Sequence, residues 1–158
     1  MPQKPQSSTQ GEIRAALDRA AIFSGVEERT LRKIARIARW QRVDEGDVLY
    51  EMGDPVRSLY VVAAGRLRFA LGGGHRIEGG GSVILPGDVL GWAALVADLP
   101  RRIATVVALD PCALLELERL ALLRLLEEDA RAGYLVMQRL AKMITESFLE
   151  QSHRLGTS

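Results

Sequence analysis

The chain has 158 residues, of which 47% are apolar and 26% charged, and its formal net charge is +1. That length suits one domain with a buried core, and charge this balanced excludes the concentrated positive field on which nucleic-acid backbone binding depends. A single cysteine, Cys112, excludes an internal disulfide framework and points to a reducing, cytoplasmic setting.

Residues 1–11 are polar, carry no apolar stretch of the signal-peptide kind, and read as a disordered leader. No run approaches the roughly 20 apolar residues of a membrane span, so no membrane partner is expected. Residues 12–39 hold two helical patterns. Ile13, Ala16, Leu17, Ala20 and Ile22 recur at helical spacing up to Phe23, and Ser24-Gly25 makes a turn. Glu27 and Glu28 then favour a second helix start, where the helix dipole attracts acids. This helix sets Leu31, Ile34, Ala35, Ile37 and Ala38 against Arg29, Arg32, Lys33, Arg36 and Arg39. No aromatic residues interleave those bases and acids flank them, so the basic side reads as a solvated face.

Across residues 40–118 the pattern changes to short apolar or alternating runs: 48–50, 59–62, 67–71, 82–85, 103–108 and 113–117. Turn signals separate them, at Glu45-Gly46-Asp47, Gly53-Asp54-Pro55, Ala64-Gly65-Arg66, Gly72-Gly73-Gly74, Pro86-Gly87-Asp88 and Asp110-Pro111. Strands at this spacing predict an antiparallel β-roll or jelly roll, so the fold class is α+β. The stretch from Gly72 to Gly81 reads as a flexible hairpin tip, since it lacks the strand-then-helix context of a mononucleotide loop.

Residues 119–152 return to helical spacing, with a short apolar helix at 120–126 and a long one at 132–151. Leu135, Val136, Leu140, Met143, Ile144 and Phe148 make a stripe on the long helix wider than packing against one side of a barrel requires. A symmetric copy of the same helix is the simplest second partner, giving a homodimer; the alternative is a helix tucked into its own domain. Residues 153–158 read as a tail, so neither a second domain nor DNA binding by this chain alone is expected.

The most informative segment spans residues 87–105. Gly91 is expected to end a strand and Trp92 to Val96 to form one helical turn, whose unpaired amides make a nest for an anion. A glycine at position 91 lets the backbone approach a phosphate closely. Arginine then returns on the next strand as Arg101-Arg102-Ile103, and a guanidinium offers two donors to two phosphate oxygens. Other chemistries lack residues. His75 and His153 are the only histidines, too few and too far apart for a barrel metal site. No serine–histidine or paired-carboxylate arrangement supports catalysis, and Cys112 reads as a small core residue.

This layout, with glycines at 46, 53, 65, 87 and 91 and the run Gly53-Asp54-Pro55-Val56-Arg57-Ser58-Leu59-Tyr60-Val61-Val62-Ala63-Ala64-Gly65, resembles the cyclic nucleotide-binding domain family in its catabolite-regulator branch. The resemblance covers residues 12–152 and implies an eight-strand roll with flanking helices. It also implies a non-enzymatic sensor in which Gly91, Ala93, Ala94 and Arg102 hold a cyclic phosphate, cAMP being the favoured ligand. Arg101 is the rival arginine if the loop is one residue longer than usual, and Ile103, next to Arg102, is expected among the ligand-binding residues. Where the family places a glutamate for the ribose 2′-hydroxyl, this chain has Trp92, which offers one donor and no comparable acceptor. Ser147, with Thr145 near it, falls where the branch reads the base with a hydroxyl, or is simply a small residue on a crowded helix. The reading that competes with the sensor is a degenerate roll, with Trp92 filling the sugar pocket, that serves as a dimerisation or protein-docking scaffold.

Overall fold

The computed structural model describes residues 7–70, 83–96, 98 and 101–156. Two helices come first, α1 (Ser7–Arg19) and α2 (Glu28–Ile37), joined through a single 3-10 turn at Ala21–Phe23. Helix α2 buries Leu31, Ile34 and Ala35 at three- and four-residue spacing and leaves Arg29, Arg32 and Arg36 exposed. It ends where Ala38 turns extended (φ −73°, ψ 138°) and the chain enters the sheet.

Among the described residues eight strands form two four-stranded antiparallel sheets. One has the order β1 (Arg39–Val43), β8 (Cys112–Glu118), β3 (Ser58–Ala64), β6 (Val89–Leu90). The other has the order β2 (Val48–Tyr50), β7 (Thr105–Ala108), β4 (Leu67–Ala70), β5 (Val83–Ile84). Tyr60, Val62, Leu90 and Leu114 of the first sheet pack with Leu67, Ile84, Val106 and Ala108 of the second, so the sheets face one another across one apolar interior. The alternate residues of β3 and β8, Leu59, Val61, Leu115 and Leu117, turn outward into a second cluster shared with the helices. Strand β3 is buried on both faces, which is why its sequence is an unbroken apolar run rather than an alternating one. Each of those four outward side chains is fully buried, and truncating one to alanine is expected to cost about 2–5 kcal/mol.

Helix α3 (Ala93–Val96) follows β6, and α4 (Arg119–Glu128) and α5 (Ala130–Gly156) close the chain. The Glu118 carboxylate caps α4, accepting from the amides of Leu120 (3.2 Å) and Ala121 (2.7 Å). Asp129 does the same for α5, accepting from the Ala132 amide at 3.1 Å.

Several boundaries differ from the sequence reading. Residues 7–11, expected within the disordered leader, belong to α1, because extending a helix is cheap once Ile13, Ala16 and Leu17 have docked. The first helix stops at Arg19 rather than running to Phe23. For the same reason of easy propagation α5 begins at Ala130 and runs through residues 153–156, expected as tail. Strand β1 falls outside the apolar runs, being polar and held by five-residue pairing with β8, while β6, the strand expected to end at Gly91, is only two residues long. The expected hairpin tip from Gly72 to Gly81 lies outside the described residues.

Candidate functional site

The chain leaves β6 at Gly91 in the left-handed region (φ +78°) and turns at once into α3. The Ala94 amide donates to the Gly91 carbonyl and the Leu95 amide to the Trp92 carbonyl, both at 3.0 Å. Those bonds take up the N–H of Ala94, which the sequence reading offered to an anion. The amides of Trp92 and Ala93 at the head of the turn have no backbone partner among the described residues.

The arginines return on an extended segment pinned to the turn after β2. The Arg102 amide donates to the Asp54 carbonyl and the Gly53 amide to the Arg102 carbonyl, both at 2.8 Å, and Arg101 bridges Pro55. Extended chain alternates its side chains, so only one of the two can face inward. Arg101 is exposed and its Nη1 donates to the Gly53 carbonyl at 3.1 Å. Arg102 is the inward one, with 6% of its surface exposed.

Arg102 Nη2 donates to the Ser58 carbonyl at 3.0 Å, while Nε and Nη1, both buried, have no hydrogen-bond partner among the described residues. The guanidinium carbon lies 4.0 Å from the centroid of the Tyr50 ring and 5.5 Å from that of Tyr60, and these two rings stack 6.3 Å apart. Cation–π contact contributes about 1–2 kcal/mol in such desolvated settings, less than the several kcal/mol that removing a charge from water costs. The balance leaves a buried cation with two open donors, lying against the bare Cα of Gly91. Burial pushes the Tyr50 hydroxyl up to about 12 despite the opposing charge of Arg102, and it raises Tyr60 as well. Both rings are therefore neutral walls at physiological pH.

Trp92 does not join this group. It is half-buried and packs with Ala93 against the cluster shared by the helices and the outer face of the first sheet. The Ile103 side chain is 67% exposed. Thr145 bonds its own helix, its hydroxyl donating to the Ala141 carbonyl at 2.8 Å. Ser147 lies within α5, and its side chain is outside the described residues. Cys112 is buried, with Sγ directed at the carbonyls of Arg66 and Asp110, and desolvation raises its thiol, as befits a core residue. Of the residues picked out from sequence, then, the structure brings together Gly91 and Arg102, with Ala93 on the rim. It adds Tyr50, Ser58 and Tyr60. The spacing of Ser58 and Tyr60 along β3 was a readable signal for a shared face; nothing local marked Tyr50.

A family model described as the cyclic nucleotide-binding domain matches residues 40–129, which holds the roll, Gly91 and Arg102. The acetyltransferase Pat of Mycolicibacterium smegmatis is 35% identical over 105 residues, covering 63% of this chain and 30% of that protein. The cAMP-dependent protein kinase regulatory subunit of Yarrowia lipolytica is 30% identical over 105 residues, covering 66% of this chain and 26% of its own length. This chain thus spans less than a third of the curated relatives it matches. In fold it superposes on the crystal structure of a cyclic nucleotide-binding domain from Methylobacillus flagellatus with a TM-score of 0.72, at 22% identity over 93% of this chain and 82% of the other. With a matched segment that covers more than half of the sequence and contains the whole grip around Arg102, this chain belongs to the cyclic nucleotide-binding domain family.

Proposed function

We propose that this domain is a non-enzymatic sensor that binds cAMP in preference to other cyclic nucleotides and reports binding through α5 to a second copy of itself. The observation that carries the reading is the buried guanidinium of Arg102, with Nε and Nη1 unpartnered beside Gly91. A cyclic phosphate seated there supplies the missing acceptors and neutralises the charge, and hydrogen bonds to charged groups contribute about 1.5–3 kcal/mol each. The amides of Trp92 and Ala93 follow Gly91 directly and have no backbone partner among the described residues. The relation to a regulatory subunit named for cAMP supports that nucleotide. Trp92 packing on the helical layer supports the sensor over the scaffold, because the indole is engaged on the other side of the first sheet from the roll interior. The single, buried cysteine supports work in a reducing cytoplasm.

Coupling to α5 requires the ligand to prefer one placement of that helix over another. A change of placement would turn on Asp129, where α4 passes into α5. Calorimetric titration with cAMP and cGMP tests the binding step. The expected result is saturable heat, tighter for cAMP, that falls by roughly ten- to a hundred-fold in affinity in Arg102→Ala. No heat at millimolar nucleotide, with Arg102→Ala indistinguishable from the parent, leaves the scaffold reading in its place.

A further inference from the structure

The basic side of α2 takes no part in the grip around Arg102. From sequence it reads as a solvated face balanced by flanking acids; in the structure those acids are committed elsewhere. Arg14 of α1 donates to both carboxylate oxygens of Glu28, to Oε1 at 2.6 Å, and holds that carboxyl well below the usual carboxylate range, at about 2. Arg32 is left a share of Oε1 at 3.2 Å, Glu27 pairs with Arg131 at 3.9 Å, and Lys33 reaches Glu128 at 3.6 Å. Arg29 and Arg36 are exposed and have no ion pair among the described residues. Arg29, Arg32, Lys33 and Arg36 stand three and four positions apart, so they form one stripe of about 10 Å over two turns and line an open groove. Like charges at that spacing weaken a helix, so the stripe is kept at a cost to the fold.

A stripe of this width fits an anionic partner that is itself narrow. Guanidinium forks match planar carboxylates, and carboxylates repeating one helical turn apart would meet arginines repeating at the same interval. Broad polyanions fit worse. Glu27, Glu128 and Asp129 border the adjoining groove, which Arg29 and Lys33 share, and a duplex backbone or a flat lipid surface would be pressed against them. Leu31, Ile34 and Ala35 are buried against the core, which leaves this helix no apolar side to sink into a bilayer. We propose that the exposed side of α2 is a docking surface for an acidic helix of a partner protein, seated along Arg29, Arg32, Lys33 and Arg36.

Fluorescence anisotropy of the full chain with two labelled helical peptides of the same composition tests the assignment. One peptide bears its glutamates at i, i+4 and i+7 on a single face, and the other spreads them around the helix. The one-faced peptide is expected to bind roughly five-fold tighter or more, since each exposed ion pair contributes a factor of up to about five. Its advantage should shrink as salt is raised. Arg29→Glu combined with Arg36→Glu should bring the ratio of the two affinities close to one, whereas a loss of general charge attraction would weaken both peptides and keep the ratio. Equal affinities in the parent, a ratio unchanged by the paired substitution, or no binding of either peptide overturns the assignment. So does tighter binding of a labelled DNA duplex or of phosphatidylserine vesicles than of the one-faced peptide, since either result puts another class of partner on this face. If thermal melting shows the paired substitution unfolded, Arg36→Gln alone decides, a lowered ratio supporting the docking surface and an unchanged one refuting it.

Discussion

A Cβ at position 91 would collide with Arg102 Nη1 and lie 3.1 Å from the Ser58 carbonyl, on a backbone already at φ +78°. Gly91→Ala therefore meets two penalties of different kinds. The left-handed conformation costs roughly 1–2 kcal/mol for an L-residue. The guanidinium must also move, which forfeits its stacking on Tyr50 but returns a buried charge toward water, and those two effects oppose one another. The expected stability loss is thus only about 1–2 kcal/mol by denaturant unfolding, whereas nucleotide affinity should fall roughly ten- to a hundred-fold because the donors no longer meet the phosphate. Affinity equal to that of the parent would show that the guanidinium does not need this seat. From sequence alone Arg102 was the preferred arginine and Arg101 its rival. What separates them is the pinning of their segment to Gly53 and Asp54, a contact across about 50 positions of chain that no local pattern encodes.

The elements themselves were legible to the degree that burial is regular along them. Residues of α2 and of β3 advertise their faces, since Leu31, Ile34 and Ala35 repeat at helical spacing and β3 is apolar on both sides. Strand β1 does not, because Arg39, Gln41 and Arg42 are strand residues only by virtue of pairing with β8. The junction of α4 and α5 shows what pairing adds to a helix end. Asp129 Oδ1 caps α5 through the Ala132 amide, and Oδ2 accepts from the hydroxyl of Thr30 on α2, which is buried. The Thr30 bond, first among the causes, holds the Asp129 carboxyl below its ordinary value of 3.8. A carboxylate depressed in the folded state stabilises the fold above its unfolded pKa and loses that contribution as pH falls below it. Thr30→Val should accordingly cost about 1 kcal/mol at neutral pH, since Asp129 is only half-buried, and should shift the acid limb of the stability curve toward ordinary aspartate behaviour. Thr30→Ser, which retains the hydroxyl, should restore most of that shift. Equal acid limbs for Thr30→Val and the parent, measured by urea unfolding between pH 3 and 6, would show that the latch contributes nothing.

The molecule as a whole turns on the second half of α5. The helix has 27 residues, a length of about 40 Å, and the burial of its described residues falls off after Leu140. Ala132, Val136 and Leu140 are buried at four-residue spacing, and beyond them Met143 and Ile144 are only half covered, while Leu149 is 56% exposed. Helical stability in water comes mostly from packing of an apolar face, so a helix continuing past its own domain gains from a partner surface of matching character. A second α5 related by two-fold symmetry offers that surface with every contact made twice. Sedimentation equilibrium should then report two copies at micromolar protein. Leu149→Glu places a charge on the paired faces but touches nothing in the domain core, so it should give one copy that still unfolds cooperatively, at a melting temperature no longer dependent on protein concentration. If ligand binding repositions α5 about Asp129, the dissociation constant of the pair should differ between the free and the cAMP-saturated protein, because a ligand that favours one helix placement shifts the pairing equilibrium by the same free energy. A parent chain that sediments as one copy with and without nucleotide leaves α5 without a symmetric partner and removes this route from Arg102 to the rest of the assembly.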